Sequence, residues 1–222
     1  MLKKSIAISF AMSIASFAHS GAMGTELSPS VSLVKENLYV GLGFGGRFAV
    51  DKLSENDSQN SFNSHQTTQV SGVVGNVYLG VGHTWMNRYF LGIEANTYFP
   101  SYTTKFSLIN YYQRTSSYAF MFKDYIGVDA LPGIRWNENA LIYARLGLSS
   151  RDISLSINGH STGGRFGLGL AHNLTQHLGV AIDYFFTYYP NFKYYQDPIN
   201  GSIQDSLNAY QNYVGLSLVY SS

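Results

Sequence analysis

The chain has 222 residues, a formal net charge of +1, 12% charged residues, and 18 Tyr and 14 Phe. That length fits one domain with a closed core, and the near-zero charge leaves no electrostatic footprint for nucleic acid. Charge usage is about half that of a soluble domain, and with no cysteine there is no basis for disulfide staples, cysteine-bound zinc or thiol catalysis.

Residues 1–24, MLKKSIAISFAMSIASFAHSGAMG, begin with Lys3 and Lys4, continue as an apolar run from Ile6 to Ala18 and end in small residues. This is the three-part pattern of a secretory signal peptide, cleaved after Ser20 or Ala22. The run is short for a membrane-spanning helix, which needs roughly 20 apolar residues. No later stretch is long enough either, so an exported chain of this kind is either soluble beyond the inner membrane or inserted as a barrel. The division that follows is a signal peptide at 1–20, an N-terminal periplasmic segment at 21–36 and a barrel at 37–222.

From residue 38 onward the recurring signal is strict alternation. In 77–85, VYLGVGHTW, the residues Val77, Leu79, Val81 and Trp85 share one face; in 89–99, YFLGIEANTYF, the apolar face is Tyr89, Leu91, Ile93, Ala95 and Phe99. Period two means strands with one apolar face. The same pattern predicts strands near 38–48, 70–85, 89–101, 117–136, 140–151, 163–174, 178–189 and 208–220, each long enough for a tilted strand to cross a bilayer. Short connectors, MNR (86–88), NEN (137–139) and TQH (175–177), alternate with long polar ones at 49–69, 102–116, 152–162 and 190–207. Trp85, Tyr89, Trp136 and Tyr220 sit beside the short turns or the final strand end, as an aromatic girdle would; Phe99, Tyr102, Tyr118, Phe120, Tyr188, Tyr189 and Tyr210 sit near the long loops. The expected fold class is all-β: an eight-stranded antiparallel transmembrane β-barrel with short periplasmic turns and long extracellular loops.

The segments YVGLGFG at the first strand, GVDALPGIRW (127–136), LIYARLGLS (141–149), FGLGLAHNLTQHLGVAIDYFF (166–186) and YVGLSLVY (213–220), in this order and spacing, resemble the small outer-membrane barrels of Gram-negative bacteria. The family is the one similar to the transmembrane domain of outer membrane protein A, and the likeness covers nearly the whole chain after the signal peptide. It departs from that family's aromatic ending, because Ser221 and Ser222 follow Tyr220. The resemblance implies a location in the bacterial outer membrane, a surface-antigen or porin-like role, and lipid and lipopolysaccharide as surroundings.

If the apolar face meets lipid, the other face fills the barrel. Gly41, Gly43, Gly80, Gly82, Gly167, Gly169 and Gly215 fall on the inward parity beside large residues such as Tyr78, so glycine, costly in a strand, makes room there. The same parity directs Glu94, Lys123, Asp129, Arg145, Arg165 and Asp183 inward. Buried charges persist only when paired and hydrogen-bonded, which predicts a salt-bridge network with Arg145 and Arg165 at its cationic centre. The resemblance implies such a network in the same region. Asp124 falls on the lipid parity, which indicates either a place above the hydrocarbon zone or a β-bulge.

Several motifs carry no chemistry. Gly41, Gly43 and Gly46 spell G-x-G-x-x-G, yet no helix or acidic partner follows. Asn173-Leu174-Thr175 reads as turn chemistry rather than a glycosylation site. The histidines lack metal-ligand spacing, so no metal and no cofactor is expected. Asp152, His160 and Ser161 hold the residue types of a hydrolase, but in one loop without a rigid support. The expected function is therefore non-enzymatic, structural or adhesive, with a host or envelope protein bound through Phe106, Tyr111, Tyr112, Arg114, Phe192, Lys193, Tyr194, Tyr195 and Asp197 of the long loops. The alternatives are a narrow ion-conducting pore and a lipid A-modifying enzyme.

Overall fold

The computed structural model describes residues 33–57, 62–100, 102–109, 115–154, 159–195 and 203–222. The expected signal peptide and most of the segment 21–36 lie outside them. Nine strand segments follow one another: β1 (Asn37–Asp57), β2 (Phe62–Trp85), β3 (Tyr89–Phe99), β4 (Tyr102–Ile109), β5 (Thr115–Asn137), β6 (Ala140–Ser154), β7 (Gly159–Asn173), β8 (Leu178–Tyr195) and β9 (Ile203–Ser221). β3 and β4 are two lengths of one barrel strand, both paired with β5 and separated at Pro100, whose nitrogen has no hydrogen to give the ladder. The sheet runs β3-β2-β1-β9-β8-β7-β6-β5 and closes through β3–β5, which makes an eight-stranded antiparallel barrel.

Alternation explains why these residues choose strands. Along β3 every second side chain, from Phe90 through Glu94 to Tyr98, is buried, and the residues between them are exposed. The outward residues are apolar and remain uncovered by the chain: Val40, Leu42, Phe44, Leu91, Ile93, Leu168, Leu170, Leu216 and Leu218 are each more than 40% exposed. A continuous apolar belt of this extent marks contact with something other than water. At the usual rise per residue and tilt of a barrel strand, the stretch from Tyr210 to Tyr220 on β9 spans about 25 Å along the barrel axis, the height of the hydrocarbon-facing band of a transmembrane barrel. No helix among the described residues is long and apolar enough to cross a membrane; the strands do the crossing.

The ladders run further than alternation indicated. β1 and β2 stay in register out to Asp57 opposite Phe62, and β8 continues to Tyr195. The long polar connectors are therefore largely strand at their flanks. Beyond the apolar belt the outward residues, such as Lys52 and Ser54, are polar, so the outer face loses its signal. The inward face keeps an apolar core, with Leu53, Ile153 and Leu207 almost fully buried.

Inside, two apolar clusters stack along the barrel. The lower one includes Tyr39, Tyr78, Phe90, Leu141 and Tyr143, and the upper one Tyr98, Phe122, Phe185, Tyr189 and Tyr213. A charged layer lies between them. A register shift separates Lys123 from Ile126 in the β5–β6 ladder. Phe122 is fully buried while Ile126, of the same parity, is 61% exposed, so this bulge exchanges the two faces. A bulge at this place is one of the two readings that the parity of Asp124 allows; the Asp124 side chain itself lies outside the described residues.

The β2–β3 connection is a two-residue turn in which Met86 and Asn87 have φ of 52° and 54° and Arg88 N–H donates to the Trp85 carbonyl at 3.0 Å. Positive φ at both central positions is the type I′ geometry that suits a twisted hairpin, with Asn-Gly its preferred sequence. Replacing Met86 by Asn and Asn87 by Gly is expected to stabilise the barrel by about 1 kcal/mol. The check is a higher temperature for loss of the fast-migrating folded form on gels.

Candidate functional site

The lumen is furnished by matching large side chains on one strand with glycine on the next. Gly41 faces Tyr78, Gly80 faces Tyr39 and Gly169 faces Tyr143 across their ladders. A Cβ at any of these glycines would fall within the facing tyrosine ring. The charged residues follow the same rule: Glu94 is opposite Gly80, Asp129 and Arg165 are opposite Gly147, Arg145 is opposite Gly167, and Asp183 lies between Gly169 and Gly215.

Glu94 and Asp129 are direct cross-strand partners. Like charges so placed repel, and Arg145 bridges them: its Nη1 donates to Glu94 Oε1 and to Asp129 Oδ2, each at 2.6 Å, while its Nη2 donates to Asp183 Oδ1 at 3.0 Å. Tyr143 adds a hydroxyl to the same Asp183 oxygen at 2.7 Å. Arg165 Nη1 donates to Asp129 Oδ2 at 3.1 Å and to Asn96 Oδ1 at 2.7 Å, and Asn96 Nδ2 returns a bond to Asp129 at 2.6 Å. The Arg165 guanidinium also lies over the Phe185 ring, 4.5 Å from its centre. These hydrogen bonds to ionised partners are the strong kind, and burial strengthens them further.

Sequence parity did not find the third cation. Lys35 precedes β1, and its Nζ meets Glu94 Oε2 at 2.8 Å with both side chains fully buried. With it the layer holds Lys35, Arg145 and Arg165 against Glu94, Asp129 and Asp183, equal numbers of each sign. The only sequence signal was arithmetic: two arginines do not neutralise three carboxylates. Parity also directs Lys123 inward, but parity counted from Asp129 does not carry across the bulge, and the Lys123 side chain lies outside the described residues.

Lys35 enters from below on a strap that folds across the end carrying the short turns. Val34 N–H donates to Asn173 Oδ1 at 2.6 Å, Lys35 N–H to Ser221 Oγ at 3.0 Å, and Arg135 Nη2 to the Val34 carbonyl at 3.1 Å. Glu36 accepts from Thr84 N–H at 2.9 Å, from the Thr84 hydroxyl at 2.6 Å and from Arg135 at 3.1 Å. Ser221, one of the two residues after the last aromatic, thus lines the barrel foot. Asn173 of the sequon is 9% exposed and holds this strap, and Thr175 Oγ1 accepts from Leu178 N–H at 3.1 Å, so one serves the strap and the other the turn.

No protein-family model and no curated protein sequence matches the chain. Solved structures do. The outer membrane protein OprG from Pseudomonas aeruginosa superposes with a TM-score of 0.51 at 11% identity, over 85% of this chain and 98% of that one. The chain has the fold of an outer-membrane β-barrel. Neisserial surface protein A (TM-score 0.38, 15% identity, 78% of this chain and 95% of that one) is also similar. So is Ail, the attachment invasion locus protein of Yersinia pestis (0.35, 13%, 82% and 99%).

On the outer wall of the barrel, Trp85, Tyr89, Trp136 and Tyr220 are 47, 53, 78 and 53% exposed and sit at the end with the short turns. At the opposite border Tyr188 stacks on Tyr210 at 5.1 Å between ring centres. Of the surface candidates, Tyr111, Tyr112, Arg114 and Asp197 lie outside the described residues. Phe106 and Phe192, Lys193, Tyr194 and Tyr195 belong to β4 and β8 by backbone, with side chains outside the described set. Asp152 and His160 are cross-strand partners whose side chains are in direct contact, on strands rather than in a loop. Ser161 is 6% exposed on the opposite, inward face, so no Ser–His pair forms. Among the described residues no cluster of His, Asp or Glu has a metal-binding arrangement.

Glu94→Gln leaves Lys35 and Arg145 without their shared carboxylate and is expected to cost roughly 3–5 kcal/mol. Asp183→Asn should cost less, since Arg145 keeps Glu94 and Asp129. Chemical unfolding followed by gel mobility ranks the two. Gly41→Ala is expected to destabilise strongly, and adding Tyr78→Ala should recover part of that loss, which a double-mutant cycle measures.

Proposed function

We propose that the chain is a non-enzymatic barrel of the bacterial outer membrane, exported by a cleaved signal peptide, with a structural or adhesive role carried by the hairpin ends opposite the short turns. The observation that carries this reading is the filled lumen. Lys35, Glu94, Asp129, Arg145, Arg165 and Asp183 are each no more than 5% exposed and mutually neutralised between two apolar clusters. An interior spent on its own packing favours the outer surface as the place for partners. Lipid and lipopolysaccharide suit the apolar belt and its aromatic borders. A host or envelope protein suits the Tyr- and Arg-bearing hairpin ends, because those residues dominate binding hot spots. The opposed faces of His160 and Ser161 speak against the lipid A-modifying alternative. A narrow pore is the second reading, supported by the charges that line the same interior.

Shortening the connectors at 110–114 and 196–202 is expected to abolish attachment of expressing cells to their target surface while leaving heat-modifiable gel migration intact. Undiminished attachment overturns the adhesive role. Planar bilayers with the purified barrel should show no steady conductance; a sustained current that responds to Glu94→Gln favours the pore. The lipid A mass spectrum of expressing cells should not depend on His160.

A further inference from the structure

The seat of Lys35 has the form of a ligand site. Its Nζ lies 4.4 Å from the centre of the Tyr78 ring, 4.8 Å from Tyr39 and 5.1 Å from Tyr143, with Glu94 Oε2 at 2.8 Å. Three aromatic faces and one carboxylate around a single nitrogen form a cage for an ammonium ion. The wall, and not the lysine, holds that cage in shape. The Tyr78 hydroxyl bonds Ser217 at 2.8 Å, the Tyr143 hydroxyl bonds Asp183 at 2.7 Å, the Tyr39 ring packs on Gly80, and Glu94 is gripped by Arg145 at 2.6 Å.

The lysine, in contrast, arrives on a segment that belongs to no strand. Val34 and Lys35 donate their backbone N–H groups to side chains rather than to a ladder, and Lys35 itself has φ of 62°. That region is costly for a residue with a long side chain, and such strain persists only where the surroundings impose it. Glu36 N–H donates to the Leu33 carbonyl at 2.9 Å and closes a turn with Lys35 at its third position, and this turn presents the lysine to the cage as a tether presents a ligand.

We propose that the foot of the barrel is an ammonium-binding cage whose resident ligand is Lys35 and whose exchangeable ligands are linear primary alkylammonium ions, the ends of diamines included. The strap Val34–Glu36 is its stopper. A neutral alcohol would leave Glu94 short of the charge that Lys35 supplies. A tethered ligand competes at an effective concentration on the order of millimolar, so a free amine enters only when the strap is displaced or its lysine removed. The cage is independent of the adhesive reading: attachment assays test the hairpin ends, and the experiment below tests the opposite end of the barrel.

The test is chemical rescue. Lys35→Ala in detergent micelles should lose its folded gel mobility at a temperature roughly 10 °C lower than the unsubstituted barrel. Propylammonium chloride, which replaces the truncated side chain, should restore at least half of that shift with saturable dose dependence. Propanol and sodium chloride at equal concentration should not, and the unsubstituted barrel should respond to none of them. Absence of rescue, or equal rescue by propanol or salt, overturns the proposal. If Lys35→Ala does not fold alone, the readout is refolding yield with and without propylammonium, and an unchanged yield overturns it. The variant Lys35→Met with Glu94→Gln removes both charges and should fold without responding to amine; a response there also overturns the cage.

Discussion

Everything in this barrel follows from one constraint: a strand in hydrocarbon has no water to satisfy its N–H and C=O groups, so each must pair with a neighbouring strand and the sheet must close on itself. Closure through β3, which pairs with both β2 and β5, removes the edges at the level of the apolar belt. It also decides what each strand face can be. The outer face meets lipid and must be apolar; the inner face, now shut off from both water and lipid, must be packed by the chain itself.

That enclosed interior sets a volume problem, and the glycines solve it locally. A lumen eight strands around cannot take a large side chain from every strand at every level. Tyr39, Tyr78 and Tyr143 each spread over a glycine on the adjacent strand, and Asp183 stands between two. The alternating glycines of YVGLGFGGRF are the empty half of this arrangement. The lost strand propensity of each glycine is offset by the ring or ion pair that its missing side chain admits.

The charged layer sets a second problem, in sign rather than size. Glu94 and Asp129 face each other across one ladder, an arrangement tolerable only because Arg145 from β6 reaches both. Two arginines still leave one carboxylate charge over, and no strand position within the layer supplies its partner among the described residues. Lys35 brings that charge from outside the sheet, on a strap held by Asn173, Ser221 and Arg135. Neutrality of the interior and closure of the barrel foot are thus one structural event, and it ties the segment before β1 to the middle of the lumen.

Alternation by itself determined the outward rows such as Leu42 and Leu168 and the inward direction of Glu94, Arg145 and Asp183, because each depends only on the period of a pleated strand, and the spacing of the connectors added the number of barrel strands. The bulge at 123–126 defeated that rule for the top of β5, since one extra residue reverses both faces, and its one mark in the sequence, the parity of Asp124, had a second reading. The polar hairpin arms were illegible for a related reason: outside lipid nothing obliges the outer face to be apolar, so strands such as the outer half of β1 lost their signature while keeping their ladder. Lys35 lay beyond any periodic argument. Its place depends on where β2, β3 and β6 bring Tyr78, Glu94 and Tyr143 together, three positions far apart in the chain that only the closed barrel makes neighbours.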